Sequence, residues 1–209
     1  MPGYFTRFVL RCVALIRQPR ATLIEFGGRP PPWPIPLREH LLLLIAMQTP
    51  TVVLLLAPAD ASLTTYLFFG ILVVVALTLQ AFISTGVLFL LCRLLGGRGT
   101  FDSGFVLYVM SATPGALISF LSLVLTLLIH PTAQIGFLAP LVTLISLGHG
   151  LLGIAALIFS FVLIYIGAEV VLQVPKRNQV IFIGLWIFIV VVITLLMLES
   201  IPSAGITLG

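Results

Sequence analysis

Long apolar stretches alternate with short loops in this chain, and its positive charges are confined to only some of those loops. All ten Lys and Arg residues lie in three segments, 7–38, 93–98 and 176–177. In membrane proteins, short loops rich in Lys and Arg stay on the cytoplasmic side. The pattern therefore predicts an all-α, polytopic membrane protein whose basic loops share the cytoplasmic face.

The composition excludes a water-soluble domain. Only 8% of the residues are charged and 60% are hydrophobic, whereas soluble domains carry roughly 25% charged residues. The net charge of +4 comes from the basic cytoplasmic loops, and we expect these loops to contact anionic lipid headgroups. We expect no nucleic-acid partner. Cys12 and Cys92 both fall on that side, which predicts reduced thiols.

A transmembrane helix needs about 20 apolar residues, and the chain offers five regions of suitable length. The predicted spans are 41–57, 66–94, 105–129, one within 135–174, and 180–198. In the fourth region we place the span at 150–168. Residues 135–147 are then an outward extension or a re-entrant piece, and Gly148, His149 and Gly150 form an outer-side kink.

The charges favour five spans over six. Five spans, with the N-terminus cytoplasmic and the C-terminus outside, put all ten cations inside, whereas six would put Lys176 and Arg177 outside. The domain organisation follows. We predict a cytoplasmic amphipathic helix and Pro-rich tether over 1–38, a five-helix transmembrane bundle over 39–199, and a short external tail over 200–209.

Helical periodicity marks the N-terminal segment. Arg7 and Arg11 fall opposite an apolar face, and the residues of that face are Phe5, Phe8, Val9, Cys12, Val13 and Ile16. Such a helix lies in the membrane interface. The alternative is a helix that binds a partner's groove. Pro19 is expected to end or kink it.

Prolines dominate the segment that follows, up to residue 36. They favour a stiff polyproline II spacer, with Trp33 anchored among the headgroups. Pro31 and Pro34 also have the spacing that proline-binding domains recognise, which is the alternative interpretation.

Two Thr-Pro pairs lie about 10 residues inside predicted spans, near the bilayer midplane. They give the candidate midplane helix breaks Thr49, Pro50, Thr113, Pro114 and Gly115. Broken helices in corresponding positions indicate a binding site in transporters. The alternative is that they only shape the bundle. No Asp, Glu, Lys or Arg falls at mid-depth in any predicted span, which argues against an ion-coupled pump.

A glycine-rich loop connects the second and third predicted spans. Gly96, Gly97, Arg98 and Gly99 are expected to make a tight cytoplasmic turn. The alternative is that their amides and Arg98 contact a lipid phosphate or other anion. The sequence shows no pattern of a catalytic or metal site, so we expect neither an enzyme nor a cofactor.

Three short motifs carry a family resemblance. They are Leu94-Leu95-Gly96-Gly97-Arg98-Gly99-Thr100-Phe101, Ala112-Thr113-Pro114 and Leu163-Ile164-Tyr165-Ile166-Gly167. They resemble the Yip domain family of Ypt-interacting proteins, whose prokaryotic members share a Gly-Gly-x-Gly-(Ser/Thr)-Phe loop, a Thr-Pro pair and an aliphatic-x-Gly exit from the fourth helix. The segment Arg17-Gln18-Pro19-Arg20 is similar to their basic-proline element.

The resemblance implies a membrane-embedded helical bundle. The Asp-Leu-Tyr-Gly-Pro motif of eukaryotic members is missing, so the resemblance does not imply that this chain binds Rab proteins. We expect a multi-pass protein of a prokaryotic cytoplasmic (inner) membrane.

Two functions remain open. The first is a non-enzymatic scaffold, assembly factor or accessory subunit that binds a membrane-protein partner or a second copy of itself. The second is a transporter, channel or lipid-handling protein that uses the midplane site.

Overall fold

The apolar runs form helices. The computed structural model describes residues 4–28, 30–50, 53, 62–129 and 139–200, with no strand among them. The helices are α1 (Tyr4–Arg17), α2 (Pro19–Gly28), α3 (Pro34–Met47), α4 (Leu63–Leu94), α5 (Phe101–Ile129), α6 (Ala139–Val170) and α7 (Lys176–Ser200). The all-α prediction is confirmed.

Three helical segments in the described part of the chain are long and apolar enough to cross a membrane. They are Leu63–Leu94, Phe101–Leu125 and Gly150–Val170. Only 11% of the most apolar window of α4 is buried inside the protein. Its apolar side chains therefore face outward, as lipid-covered side chains do, and the chain is a membrane protein.

Helix α6 differs from the sequence-based prediction. It runs without interruption through Gly148, His149 and Gly150, so residues 139–147 belong to the same helix as 150–168. Residues 139–147 are therefore a helical extension and not a re-entrant piece. Residues 135–138 and His130 lie outside the described residues. Its 32 residues give a length of about 48 Å, which exceeds the ~30 Å hydrocarbon core.

The two Thr-Pro pairs behave differently. Helix α3 begins at Pro34, earlier than predicted, and ends at Met47; Gln48 is a turn residue directly before Thr49 and Pro50. Helix α5 instead continues through Pro114, contrary to the expected break.

A proline inside a helix removes one backbone donor and crowds the preceding turn, but membrane helices tolerate it when neighbouring groups satisfy the freed carbonyl. The Thr113 hydroxyl donates to the carbonyl of Val109 at 2.9 Å, and this local bond keeps the side chain satisfied within the helix.

The largest buried cluster lies at one end of the bundle, where α4 and α6 end and α5 and α7 begin. Leu15 of α1 is 1% exposed and Leu23 of α2 is 0% exposed, and both belong to this cluster. The N-terminal segment is therefore part of the folded core.

Candidate functional site

Two loops meet at the end of the bundle that holds the core. We call them the linked loops: residues 95–100, between α4 and α5, and residues 171–175, between α6 and α7. The carbonyl of Leu172 accepts hydrogen bonds from the amides of Arg98 (3.1 Å) and Gly99 (2.9 Å). It also accepts the thiol of Cys92 at 3.3 Å. One carbonyl thus joins the two loops and the end of α4.

Glycine is required where the loops touch. Gly96 has a φ of +79°, in the left-handed region that glycine adopts without strain. A Cβ on Gly97 would lie 2.5 Å from Cys92 Sγ and 2.9 Å from the Leu172 oxygen. The glycine-rich sequence is therefore explained by close approach between backbones, as well as by the turn.

The loop amides are committed inside the protein. Gly97 donates to the carbonyl of Cys92 at 2.8 Å, and the amides of Arg98 and Gly99 donate to Leu172. In this conformation these three N–H groups are not available to an anion. The Arg98 side chain is exposed, and its contact with a lipid phosphate stays a prediction.

The second linked loop closes the end of α6. The amide of Leu172 donates to Gly167 O at 2.9 Å, and that of Val174 donates to Ala168 O at 2.8 Å. These bonds satisfy the last carbonyls of the helix. Asn178 Nδ2 donates to the carbonyl of Leu95 at 2.8 Å, which ties α7 to the other loop.

Sequence reasoning missed the roles of Leu172 and Asn178. Asn178 carried a signal, because a polar amide stands at the start of an apolar helix. Leu172 carried none, since its contribution comes from the backbone carbonyl.

Helices α1 and α2 pack against each other and onto the bundle, and we call them the docked hairpin. Arg20 makes two hydrogen bonds to the Glu169 carboxylate, each at 3.0 Å. Lys176 Nζ lies 4.0 Å from the same carboxylate. The hydrogen bond to Glu169 raises the pKa of the Arg20 guanidinium. A Cβ on Gly27 would lie 3.0 Å from Val171 Cα, so α2 touches the second linked loop closely.

The apolar face predicted for α1 divides between two environments. Cys12 is buried against the bundle together with Leu15, which was not part of that prediction. Three other members of the face, Val9, Val13 and Ile16, are exposed. Burial raises the pKa of the Cys12 thiol to about 11, so the thiol stays neutral near pH 7. The helix therefore has one side for the protein and a second apolar side that faces outward.

The polar side of α1 also differs from the prediction. The Arg11 guanidinium carbon lies 4.8 Å from the ring centroid of Phe26 in α2, so this cation contacts the hairpin. The side chains of Phe5, Arg7 and Phe8 lie outside the described residues.

The proline-rich segment is shorter than predicted and contacts the protein. The amide of Trp33 donates to Asp102 Oδ1 at 2.9 Å, and its ring lies edge-on to Phe82 with centroids 5.5 Å apart. Pro34 is already helical, so no extended segment joins Pro31 to Pro34. Trp33 therefore anchors the chain to α4 and α5.

An apolar cavity of about 220 Å³ lies between α1, α5 and α6. Thr113 and Pro114, two of the predicted midplane residues, form part of its wall. Thr49 and Pro50 are not among its described lining residues. The structure thus places one of the two Thr-Pro pairs beside an open space.

We predict that Gly97→Ala destabilises the protein by about 1–3 kcal/mol, since the added methyl group overpacks a backbone contact. Thermal unfolding in detergent, followed by far-UV circular dichroism, measures this. The matched control is Gly184→Ala in α7, where an added Cβ meets nothing within 4 Å. Equal melting temperatures for wild type and Gly97→Ala would contradict the close packing of the linked loops.

A search of curated proteins and a search of solved structures gave no significant match. The family model for the Yip1 domain matches residues 13–198. The match includes α2, both linked loops and most of α7, and it confirms the resemblance carried by the glycine-rich and Thr-Pro motifs. The chain therefore belongs to the Yip1 domain family.

Proposed function

We propose that this protein is a non-enzymatic scaffold, assembly factor or accessory subunit that binds a membrane-protein partner or a second copy of itself. The observation that carries the proposal is the docked hairpin. Its attachment through Arg20, Glu169 and Gly27 holds a defined surface at the end of the bundle. A preformed surface loses less conformational entropy on binding than a flexible tail does.

The exposed side of α2 has the composition of a protein-binding surface. Ile24 is 50% exposed, although Leu23 beside it is fully buried. The exposed cations Arg17 and Arg20 precede Ile24, and Arg20 lies one helical turn before it. An apolar centre with a polar rim is typical of protein interfaces.

The ionisable groups of this surface support a binding role over catalysis. The Arg20–Glu169 pair attaches the docked hairpin to α6, and Lys176 lies near the same carboxylate. Nucleophilic catalysis would call for a nucleophile beside a base, which this group of charges does not supply. Anionic lipid headgroups are the second partner that we propose, because Arg98 and Arg177 are exposed at the same end.

We further propose five spans, with the N-terminus cytoplasmic, in the cytoplasmic membrane of a prokaryote. Two observations support this topology. Helix α6 is continuous, which favours one span in the fourth region. The linked loops also bring Arg98 and Lys176 to one end of the bundle, as a shared cytoplasmic side requires.

Cysteine labelling in intact cells tests the topology. In a background without Cys12 and Cys92, Ala204→Cys should react with an impermeant maleimide, and Arg98→Cys only after permeabilisation. The reverse pattern would contradict the orientation.

Transport, channel activity or lipid handling is the second candidate, and the cavity beside Pro114 favours it. Flux or lipid scrambling in reconstituted liposomes distinguishes this function from scaffolding. If correctly folded wild type shows neither flux nor lipid scrambling, this second function is excluded.

Partner binding is tested with a photo-cross-linking amino acid at position 24, compared with position 72 on the exposed face of α4. We expect discrete protein adducts from position 24 in native membranes and few from position 72. Arg20→Glu should weaken the adducts several-fold, because it places like charges together. The double variant Arg20→Glu with Glu169→Arg should restore the adducts, because it reverses the ion pair and keeps the opposite charges.

Three outcomes would contradict the proposal. The first is the lack of any protein adduct at position 24. The second is equal cross-linking at positions 24 and 72, which indicates random contacts in the membrane. The third is cross-linking that is insensitive to Arg20→Glu, because the surface would then not depend on the docked hairpin.

A further inference from the structure

The cavity between α1, α5 and α6 has a defined wall from each helix. Leu15 and Ile16 contribute from α1, Pro114 and Leu117 from α5, and Ala156 and Phe159 from α6. Its volume of about 220 Å³ exceeds the roughly 150 Å³ of an apolar cavity that binds benzene. The space is therefore large enough for part of a hydrocarbon chain.

The chemistry of the wall selects an apolar occupant. Most lining side chains are hydrocarbon, and the Thr113 hydroxyl donates to Val109 O within its own helix. The Cys12 thiol stays protonated near pH 7. A polar ligand would lose its hydration here with little compensation from hydrogen bonds.

The mouth of the cavity joins the outer apolar surface of the bundle. Ile16 is 64% exposed and Leu152 is 46% exposed, and both line the cavity. Along α6 the exposed apolar surface continues through Leu151 and Ile154. Since lipid covers such a surface in a membrane, the molecules adjacent to the mouth are lipid chains.

We propose that this cavity is a binding site for one acyl chain of a bilayer phospholipid, which enters sideways between α1 and α6. Small residues of α6 leave the room for it, because Ala155 and Ala156 line the space. Helix α1 forms one side of the site with its apolar surface. The inference is independent of partner binding by the docked hairpin.

The test uses wild-type protein in nanodiscs that contain a phospholipid with a diazirine in one acyl chain. After photolysis, mass spectrometry of peptides measures where the lipid is attached. We expect lipid adducts to concentrate on the α1, α5 and α6 segments that contain Ile16, Leu117 and Phe159, above the level on the exposed face of α4.

Filling the cavity should remove this labelling. Ala155→Phe places a ring in the space from an exposed position, and we expect roughly a tenfold loss of adducts, as when about two methylenes lose their burial. Ala156→Leu fills the space from a buried position and serves as the second variant. The control is Ala76→Phe on α4, an exposed alanine that does not line the cavity. Circular dichroism checks folding in each case.

The proposal is overturned if the three segments are labelled no more than α4, or if labelling of correctly folded Ala155→Phe equals that of wild type.

Discussion

The hydrogen bonds to the Leu172 carbonyl hold the two linked loops together at one end of the bundle. Two amides and a thiol converge on this oxygen, from the loop after α4 and from the last turn of α4 itself. Within a lipid environment, apolar burial gives little driving force for one helix to pack on another, so close approach and polar contacts decide the arrangement. The glycines at positions 97 and 99 permit that approach, because a side chain at either would collide with the backbone or side chain of Leu172.

The docked hairpin depends on the same region. Gly27 packs on Val171, next to Leu172 in the chain, and Arg20 pairs with Glu169 in the last turn of α6. The hairpin, the linked loops and the start of α7 thus form one structural unit at the end of the bundle. The binding surface that we propose lies on this unit, whereas the proposed acyl-chain site lies deeper, between α1 and the middle of α5 and α6.

The sequence predicts some features well because they have local causes. Apolar runs predict the helices, the glycine-rich motif predicts the turn at Gly96, and periodicity predicts α1. Other features depend on tertiary contacts. Helix α2 was not predicted, although Pro19 suits a first helical position. The continuity of α6 through Gly148 and Gly150 was missed because two glycines and a histidine weaken a helix locally without ending it. The role of the Leu172 carbonyl has no side-chain signature at all.

Hydrogen exchange of the loop amides tests the central claim most directly. With the protein in nanodiscs and exchange followed by mass spectrometry, the account predicts that the amides of Gly97, Arg98 and Gly99 exchange as slowly as those of the adjoining helices, and that the α2 amides around Leu23 share this protection. Exchange of the three loop amides at the rate of exposed, unstructured peptide would contradict it, because the carbonyl of Leu172 would then not hold the two loops together.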